Sequence, residues 1–396
     1  MKCKNLSVVF LLACVFGTCY VAINWNQLIT QRSYTSQRHM IESNDVISKH
    51  SWQRLTTKKM PNPRRTDAVI LLTQRRSGSS VLGELFNQRS DVTYLYEPLF
   101  PFVERPCDVQ HKERVEVLRH ITKCELEQLP ILYDKGFNVS NKNDKWSRCK
   151  IYNICFPSNQ GKAGIFLARD AGVCKLRGKG EVICPKPIDH KDLEKHCRQS
   201  LLVAMKVIYL CKLEWLTPLF RDGEFNVKII HLVRDPRATV NSRTSPTKRN
   251  INYVRSTAAS ICEQLSANLK FVDQSMHDDS WTRDRYMRIS HEEFSMDPIK
   301  TAQKIYDFVE INMTPYIKSW ISEATSTKND SNLSQKESQK TSRNSTLVLS
   351  AWRKSLNFDE VLAIQDACPY VLSRLGYRKY NSLSELRDLS KLHFDL

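Results

Sequence analysis

Two arginines and three serines follow a short apolar run near the start of the chain's folded part. The run AVILLT begins at Ala68, and the residues after it read QRRSGSS before a helical pattern starts. A buried strand, a loop of small residues and a helix start point backbone N–H groups and the helix dipole at negative charge. The segment therefore predicts an anion-binding loop. Its candidate residues are Arg75, Arg76, Ser77, Gly78, Ser79 and Ser80.

The residue types of this loop indicate which anion it holds. The nucleoside triphosphate loop G-x-x-x-x-G-K-[ST] places a lysine before its hydroxyl residue, and here no lysine precedes Ser79. That lysine and a Mg²⁺-binding hydroxyl manage a triphosphate. Arginine forks beside small hydroxyl residues better suit a tetrahedral oxyanion that is bound without a metal. The alternative interpretation is a serine-rich turn with solvated arginines.

A second basic loop follows another apolar strand. The segment KIIHLVRDPRATVNSR begins at Lys228, its strand ends at Val233, and a helix is expected to start near Pro236. Because strand carboxyl ends of an open parallel sheet meet at one edge, the two loops could hold two anionic groups of one ligand. Taken alone, Asp235 is a helix cap and Arg237 a surface residue. The candidate residues of this loop are Arg234, Asp235, Pro236, Arg237 and Ser242.

A general base would also have to reach this edge. Glu97 in LYEPL ends the next strand along the chain and could accept a proton there. Its alternative role is an ion-pair partner of a loop arginine or a turn residue before Pro98. His231 is the second candidate, although a histidine within an apolar strand is typical of the core. Lys206 in AMKVIY could reach the ligand or extend its ammonium group to the surface.

The segments that position these residues are strand candidates that alternate with helix candidates. This alternation predicts a parallel α/β sheet. The strand candidates are DAVILLT, DVTYLYEP, LLVAMKVIYL and NVKIIHLV, and the third of them could also be a buried helix. The helix candidates are SVLGELFNQ, RSTAASICEQLSANLKFVDQ and DPIKTAQKIYDFVEI. Residues 325–346 are polar and predict a flexible loop, and residues 105–200 give no clear assignment.

The N-terminal residues predict a membrane anchor. Leu6 to Ile23 carry no charge and are long enough to span a bilayer, and Lys2 and Lys4 precede them. We expect residues 1–5 to be a cytoplasmic tail, 6–23 a transmembrane anchor, 24–65 a stem and 66–396 a lumenal domain. The alternative is a cleaved signal peptide, although no clear cleavage site is visible.

Charge and cysteine usage agree with a lumenal domain that has an acidic partner. The net charge is +18, which fits a nucleic acid, anionic lipid, nucleotide or polysaccharide, and a lumenal location argues against nucleic acid. Ten of the 13 cysteines follow the anchor, so disulfides are allowed and their pairing is open. The spacing argues against a zinc site, and Cys211 in VIYLCKL is interpreted as a buried small apolar residue. Glycosylation sequons occur at Asn138, Asn312, Asn329, Asn332 and Asn344.

Several motifs in order resemble one family. R-S-G-S-S after a strand, then Y-E-P, then L-V-R-D-P-R-A-x-x-x-S-R resemble the Golgi carbohydrate 6-O-sulfotransferases that act on galactose, N-acetylgalactosamine or N-acetylglucosamine. The segment SAWRKSLNFDEVLAIQDACPYVLSRLGYR is similar to the closing segment of that family, so the resemblance covers residues 67–378. The tail, anchor, stem and lumenal domain are also similar to the usual layout of the family.

The resemblance implies a donor, a fold and a reaction. The donor would be 3′-phosphoadenylyl sulfate, with its 5′-phosphosulfate at residues 75–80 and its 3′-phosphate at Arg234 and Ser242. The implied fold is a P-loop-like parallel sheet flanked by helices, with no catalytic metal. Sulfate would pass to the 6-hydroxyl of a sugar in a glycan such as keratan or chondroitin at the Golgi membrane, in a type II protein. Arg76 would stabilise the leaving oxygen and Glu97 would act as the base.

Two departures from the family pattern and two other functions stay open. The usual R-Y-E-D-L reads RISHEEFSMDP here, which puts a structural role of Glu292 in doubt. The segment TSPTKRNINYVRS after Arg243 matches no subgroup, so the acceptor is undetermined. A lumenal P-loop kinase or nucleotidase would require Mg²⁺ and ATP. A non-catalytic glycan-binding membrane protein would bind sulfated polysaccharide in a salt-dependent way without affinity for the donor.

Overall fold

The structure is a computed structural model that describes most of the chain from Asp67 onward. The described residues are 67–99, 102, 109–129, 175–177, 181–183, 190–221, 225–244, 246, 249–278, 281–325 and 345–394. The predicted tail, anchor and stem lie outside these residues, as does nearly all of the predicted loop 325–346. Within the described residues, no helix combines the length and apolar character needed to cross a membrane.

Within the described residues, seven strands form one large and one small sheet. The strands are β1 Ala68–Thr73, β2 Val92–Tyr96, β3 Lys175–Arg177, β4 Glu181–Ile183, β5 Leu202–Val207, β6 Val227–Val233 and β7 Tyr286–Ser290. The large sheet has the order β2-β5-β1-β6-β7 with all neighbours parallel, and β3 and β4 pair as an antiparallel hairpin. The predicted parallel α/β sheet is confirmed, and LLVAMKVIYL contributes a strand rather than a helix.

Fourteen α-helices within the described residues connect and cover these strands. They are α1 Ser79–Asn87, α2 His111–Thr122, α3 His190–Gln199, α4 Thr217–Arg221, α5 Pro236–Arg243, α6 Ile251–Asp278, α7 Trp281–Arg285, α8 His291–Met296, α9 Pro298–Phe308, α10 Pro315–Thr325, α11 Ser345–Ser355, α12 Phe358–Ala367, α13 Pro369–Arg374 and α14 Leu383–Arg387. The three predicted helices correspond to α1, α6 and α9. The helix expected near Pro236 is α5.

Both faces of the large sheet are buried, which explains why its central strands are continuous apolar runs. Along β1, Ala68, Ile70 and Leu72 pack into the core on the side of α2. The alternate residues Val69 and Leu71 pack into the core that contains α1, α9 and α10. Every residue of β1 is buried, so the strand is fixed between two layers of helices.

A third core and one disulfide tie the C-terminal helices to α6, and a second disulfide links the segment after α2 to α3. Buried residues of α6, α11, α12 and α13 form this core. Cys262 of α6 is bonded to Cys368, which precedes α13, and Cys124 is bonded to Cys197 of α3. The interpretation of Cys211 as a small apolar residue is wrong, because Cys211 is also disulfide-bonded.

Candidate active site

The loop between β1 and α1 is shaped by two left-handed residues. Arg76 has a φ of 71° and Gly78 a φ of 88°. The Ser77 hydroxyl donates to the Gln74 carbonyl oxygen at 2.7 Å, and the Gln74 amide donates to the Ile261 carbonyl oxygen of α6 at 2.8 Å. The Ser77 hydroxyl is therefore occupied by a hydrogen bond within the turn, and Gln74 anchors the loop to α6.

Gly78 and the first residues of α1 form the surface that would meet an anion. Gly78 is the N-cap of α1 and provides no side-chain cap, so the initial N–H groups of α1 depend on other acceptors. A Cβ atom at Gly78 would lie 2.5 Å from the His291 Nδ1. Ser79 is buried and Ser80 half-buried at this helix start. The N-terminus of α1 thus has the geometry of an anion cradle.

The second loop is held from inside by three of its predicted site residues. Asp235 caps α5 by accepting the Arg237 N–H at 2.8 Å, and Pro236 is the first residue of α5. Arg237 is fully buried, pairs with Asp235 at 2.8 Å and lies 4.5 Å from the Trp352 ring centroid. The interpretation of Arg237 as a surface residue is therefore wrong. These three residues are buried and support the loop from inside.

The two loops contact each other through the remaining predicted residues. The Arg76 Nε donates to the Ser242 Oγ at 2.9 Å, and the Arg234 Nη1 donates to the Arg76 carbonyl oxygen at 3.0 Å. The Arg243 Nε donates to the Arg75 carbonyl oxygen at 3.1 Å. Four arginines therefore lie at the carboxyl edge of β1 and β6, where like charges are brought together. Such an arrangement suits a ligand with more than one anionic group.

Glu292 lies beneath the second loop and does have a structural role, which corrects the doubt raised by its altered motif. Its Oε1 accepts the Asp235 N–H at 3.1 Å, and its Oε2 accepts the Tyr377 hydroxyl at 2.8 Å. Burial raises its pKa, but the proximity of His393 and the charges of His291 and Arg234 outweigh this effect. The net result is a pKa lowered to about 2. The carboxylate is thus a fixed negative charge facing Arg234.

His393 and Tyr377 complete this buried group and were missed from the sequence. The His393 Nε2 lies 3.9 Å from the Asp235 Oδ2 and 4.0 Å from the Glu292 Oε1. Its ring stacks on the Tyr377 ring with centroids 6.3 Å apart. The only sequence signal was the resemblance of the LGYR segment, which contains Tyr377, to the closing segment of a family. No signal pointed to His393.

Glu97 is paired with a lysine of the neighbouring strand. It has a φ of 54°, and its N–H donates to the Lys206 carbonyl oxygen at 2.9 Å. The Lys206 Nζ lies 2.8 Å from the Glu97 Oε1 and 3.4 Å from the Tyr96 ring centroid. Only 1% of the Lys206 side chain is exposed. The ion-pair partner of Glu97 is therefore Lys206 rather than a loop arginine, and this pair fixes the carboxylate at the sheet edge.

His231 belongs to the core, as its position in an apolar strand suggested. Its Nδ1 and the Tyr286 hydroxyl are 2.9 Å apart between β6 and β7. Burial, with the nearby charge of Arg288, lowers the pKa of His231 to about 4. A neutral ring that is hydrogen-bonded inside the sheet does not support the role of general base.

The arrangement can bind a tetrahedral anion at the start of α1 and a second one near Arg234 and Ser242. It can also offer a carboxylate, Glu97, at the same sheet edge. Across the described residues, no three His, Cys, Asp or Glu side chains are grouped so that they could hold a metal ion. The residues present fit an organic ligand with two anionic groups.

Known proteins provide an independent comparison. Residues 66–376 match the family model described as the sulfotransferase domain. Carbohydrate sulfotransferase 1 of Rattus norvegicus is 29% identical over 361 residues, which cover 83% of each chain. Carbohydrate sulfotransferase 3 of Tetronarce californica is 29% identical over 408 residues, covering 93% of this chain and 82% of its own.

Solved structures are more distant. The sulfotransferase domain of the Synechococcus PCC 7002 olefin synthase has 18% identity and a TM-score of 0.36, covering 78% of this chain and 97% of that one. Mouse sulfotransferase SULT7A1 complexed with PAP has 14% identity and a TM-score of 0.35, covering 82% and 89%. Similarity at this level carries no argument about the site. The family model, which matches most of the chain, is decisive: the chain belongs to the sulfotransferase family, and the predicted relationship to carbohydrate sulfotransferases is confirmed.

Proposed function

We propose that the chain transfers sulfate from 3′-phosphoadenylyl sulfate to the 6-hydroxyl of galactose, N-acetylgalactosamine or N-acetylglucosamine in a glycan such as keratan or chondroitin. The observation that carries this proposal is the direct contact of the two basic loops. Arg76 meets Ser242 at 2.9 Å and Arg234 meets the Arg76 carbonyl at 3.0 Å. One ligand with two anionic groups would bridge these loops, and the relatives named carbohydrate sulfotransferases indicate the acceptor class.

Different residues of the chain would hold the two anionic groups of the donor. Arg76, Gly78 and the first N–H groups of α1 would hold the 5′-phosphosulfate, because they follow one another in the turn and helix start after β1. Arg234 and Ser242 would hold the 3′-phosphate. Burial lowers the pKa of Arg234, but the charges of Glu292 and Asp235 oppose this and keep a cation there. These contacts would be charge-assisted and therefore strong.

The chemistry needs a base and a stabiliser of negative charge. When bound, the donor supplies a sulfuryl group that can pass to a hydroxyl. Glu97 would take the proton from the attacking sugar hydroxyl, and Lys206 holds its carboxylate at the edge of the sheet. Arg76 would donate to the oxygen between phosphorus and sulfur as the S–O bond breaks, where negative charge builds up.

The cellular setting is part of the proposal. Residues 6–23 would anchor the chain in the Golgi membrane as a type II protein, with a tail 1–5, a stem 24–65 and the domain 66–396 in the lumen. Disulfides such as Cys262–Cys368 are typical of an oxidising compartment, and the sequon residue Asn312 is exposed. Protection of the C-terminus from protease in intact vesicles tests this topology, and a secreted product lacking residues 1–23 would contradict the anchor.

The transfer itself is tested with the detergent-solubilised full chain. It is incubated with labelled donor and a panel of desulfated glycosaminoglycans, and the position of the new sulfate is then determined. We expect sulfate on a 6-hydroxyl without added Mg²⁺. Mg²⁺-dependent transfer from ATP would replace the proposal with a kinase. Salt-dependent glycan binding without affinity for the donor would replace it with a non-catalytic binding protein.

Arg234 provides the test of the donor site. Arg234→Ala removes charged contacts to the 3′-phosphate, and hydrogen bonds to charged groups contribute about 1.5–3 kcal/mol. Affinity for adenosine 3′,5′-bisphosphate should therefore fall about ten- to a hundredfold, as measured by titration calorimetry. Unchanged affinity in a folded variant would remove Arg234 from the site.

A further inference from the structure

Two arginines at the edge of the first loop lack a carboxylate partner. Arg75 is exposed, and the Arg243 Nε donates to the Arg75 carbonyl oxygen at 3.1 Å. We call these two residues the lip arginines. Neither forms an ion pair with any carboxylate in the described part of the chain. Burial and the positive charge of Arg75 together lower the pKa of Arg243 to about 10, so the two charges repel each other.

Two other arginines of this region, Arg237 and Arg249, are neutralised by carboxylates, unlike the lip arginines. Arg237 pairs with Asp235 at 2.8 Å, and Arg249 lies 3.4 Å from a Glu360 carboxylate oxygen. Two guanidinium groups that lie close together without a neutralising carboxylate favour the binding of an anion from solution. The positive charge of the lip arginines is therefore a local excess at the edge of the site and not a general property of this region.

The order of the strands places Arg75 between helix α5, which carries Arg243, and the side of the sheet edge that carries the proposed base Glu97. Strand β1 lies between β5 and β6, so the loop that carries Arg75 lies between the segment after β5 and helix α5. Tyr209 follows β5, and its pKa is raised by burial and by the charge of Glu97, while Arg75 opposes this. Arg75 therefore acts on the same tyrosine as the proposed base. Arg76, by contrast, turns to Ser242 and the donor loop.

Tyr253 adds an exposed ring beside this charge. It lies in the first turn of α6, its exposed fraction is 48%, and its proximity raises the pKa of Arg243 against the effect of burial. Exposed aromatic rings provide an apolar face with a polar tip, which suits the C–H face of a sugar. The first turn of α6 thus places an exposed ring near Arg243.

We propose that Arg75, Arg243 and Tyr253 form an acceptor subsite for an acidic saccharide, in which a carboxylate or sulfate on a sugar next to the acceptor sugar binds the lip arginines. This inference rests on the proposed function and refines it, because it names acidic glycans as the preferred acceptors. It also assigns Arg75 to the acceptor rather than to the donor.

The test measures binding of matched saccharide pairs to the full chain and to two charge variants. The carboxylate pair is chondroitin and carboxyl-reduced chondroitin oligosaccharides, and the sulfate pair is sulfated and unsulfated N-acetyllactosamine oligosaccharides. Arg75→Glu reverses one lip charge on an exposed side chain. Arg283→Glu makes the same change on exposed α7, at the opposite edge of the sheet. Titration with adenosine 3′,5′-bisphosphate reports the donor site separately.

We expect the wild-type chain to bind the acidic member of at least one pair roughly tenfold more tightly than its neutral partner. Arg75→Glu should remove this preference and leave affinity for adenosine 3′,5′-bisphosphate within about twofold, whereas Arg283→Glu should keep the preference. Tyr253→Ala should weaken both members of a pair alike, by about threefold. The pair that shows the preference identifies a carboxylate or a sulfate as the anion.

Three results would overturn the inference. The first is a wild-type chain without preference for either acidic saccharide. The second is an equal loss in Arg75→Glu and Arg283→Glu, which would reflect the net charge of +18 and not a site. The third is a loss of nucleotide affinity in Arg75→Glu as large as the loss of saccharide affinity, which would return Arg75 to the donor. A wild-type chain that binds no adenosine 3′,5′-bisphosphate refutes the proposed function instead, since saccharide binding is measured without it.

Discussion

At the scale of the residue, Glu97 combines a left-handed backbone with a buried counter-charge. A φ of 54° in a non-glycine residue costs about 1–3 kcal/mol and persists where the surroundings enforce it. Here the Glu97 N–H is bound by the Lys206 carbonyl, and its carboxylate by the Lys206 ammonium group at 2.8 Å. The carboxylate thus serves both the proposed chemistry and the burial of a lysine.

The substitution Glu97→Gln should reveal both roles. Without a base, turnover should fall about 10²–10⁴-fold, while affinity for adenosine 3′,5′-bisphosphate stays near that of the wild type. The free energy of unfolding should also fall by about 3 kcal/mol, because Lys206 loses its counter-charge in a buried position. Single-turnover kinetics and urea unfolding on one preparation measure the two effects.

A double variant separates the two roles. Glu97→Gln with Lys206→Met removes both charges, so stability should recover while turnover stays low. Recovery of turnover together with stability would show that the pair is purely structural. Near-normal turnover in folded Glu97→Gln would exclude Glu97 as the base.

At the scale of the element, the β1–α1 loop depends on one glycine. Gly78 has a φ of 88°, and an added Cβ would lie 2.5 Å from the His291 ring. Gly78→Ala should lower the free energy of unfolding by about 1–3 kcal/mol and weaken adenosine 3′,5′-bisphosphate binding, because the loop must shift. Chemical denaturation and calorimetry measure both quantities.

A glycine in the next turn of α1 provides the matched control. A Cβ at Gly83 would lie 2.1 Å from the Tyr94 hydroxyl, so Gly83→Ala should lose stability but keep its affinity for the nucleotide. Adding His291→Ala to Gly78→Ala should remove the contact between the new Cβ atom and the His291 ring. The strain of a positive φ at a non-glycine residue should remain. Nucleotide affinity that is unchanged in Gly78→Ala would contradict the role of this loop.

The sequence predicted these elements unevenly, for physical reasons. Strands β1, β2, β5 and β6 are apolar runs because both faces of the sheet are covered, and such runs are visible locally. Strand β7 was missed because it is not a continuous apolar run: Met287 is half-buried and Arg288 is exposed. The strand-end loops were predicted correctly, whereas the inward turn of Arg237 depends on Trp352, which local sequence cannot place.

At the scale of the whole molecule, the second basic loop, after β6, is supported by residues that are distant in the chain. Asp235 depends on Glu292, and Glu292 in turn on Tyr377 and His393. No periodicity or spacing links these positions, because their contacts arise only when the third core packs. This is why the sequence located the arginines of the site but not the carboxylate and the imidazole behind them.

Glu292 should make the stability of the whole domain sensitive to acid. Its pKa is about 2 in the folded chain against an ordinary value of 4.5, so the unfolded chain binds more protons. Its stabilising effect is fully present above the unfolded pKa and is lost as the pH falls from 4.5 towards 2. Glu292→Gln should thus be less stable than the wild type near neutral pH, and the difference should shrink in acid. Urea unfolding at a series of pH values measures this.

The neighbouring Glu293 is the control for this pH dependence. It lies on the same helix with 36% of its side chain exposed and pairs with Lys304 at the surface. Glu293→Gln should leave the pH profile of stability nearly unchanged. A Glu292→Gln variant whose acid sensitivity equals that of the wild type would show that another group controls it.

The buried contacts of Tyr377 and His393 also set the order in which the enzyme can mature. A ribosome releases the β1 and β6 loops well before it has made the segment in which Arg378 N–H binds the His393 carbonyl at 2.9 Å. Until then the nascent chain holds its arginines without the imidazole and phenol that steady Glu292 beneath them. A nucleotide that binds as we propose would therefore meet a complete site only after the C-terminal segment has been made.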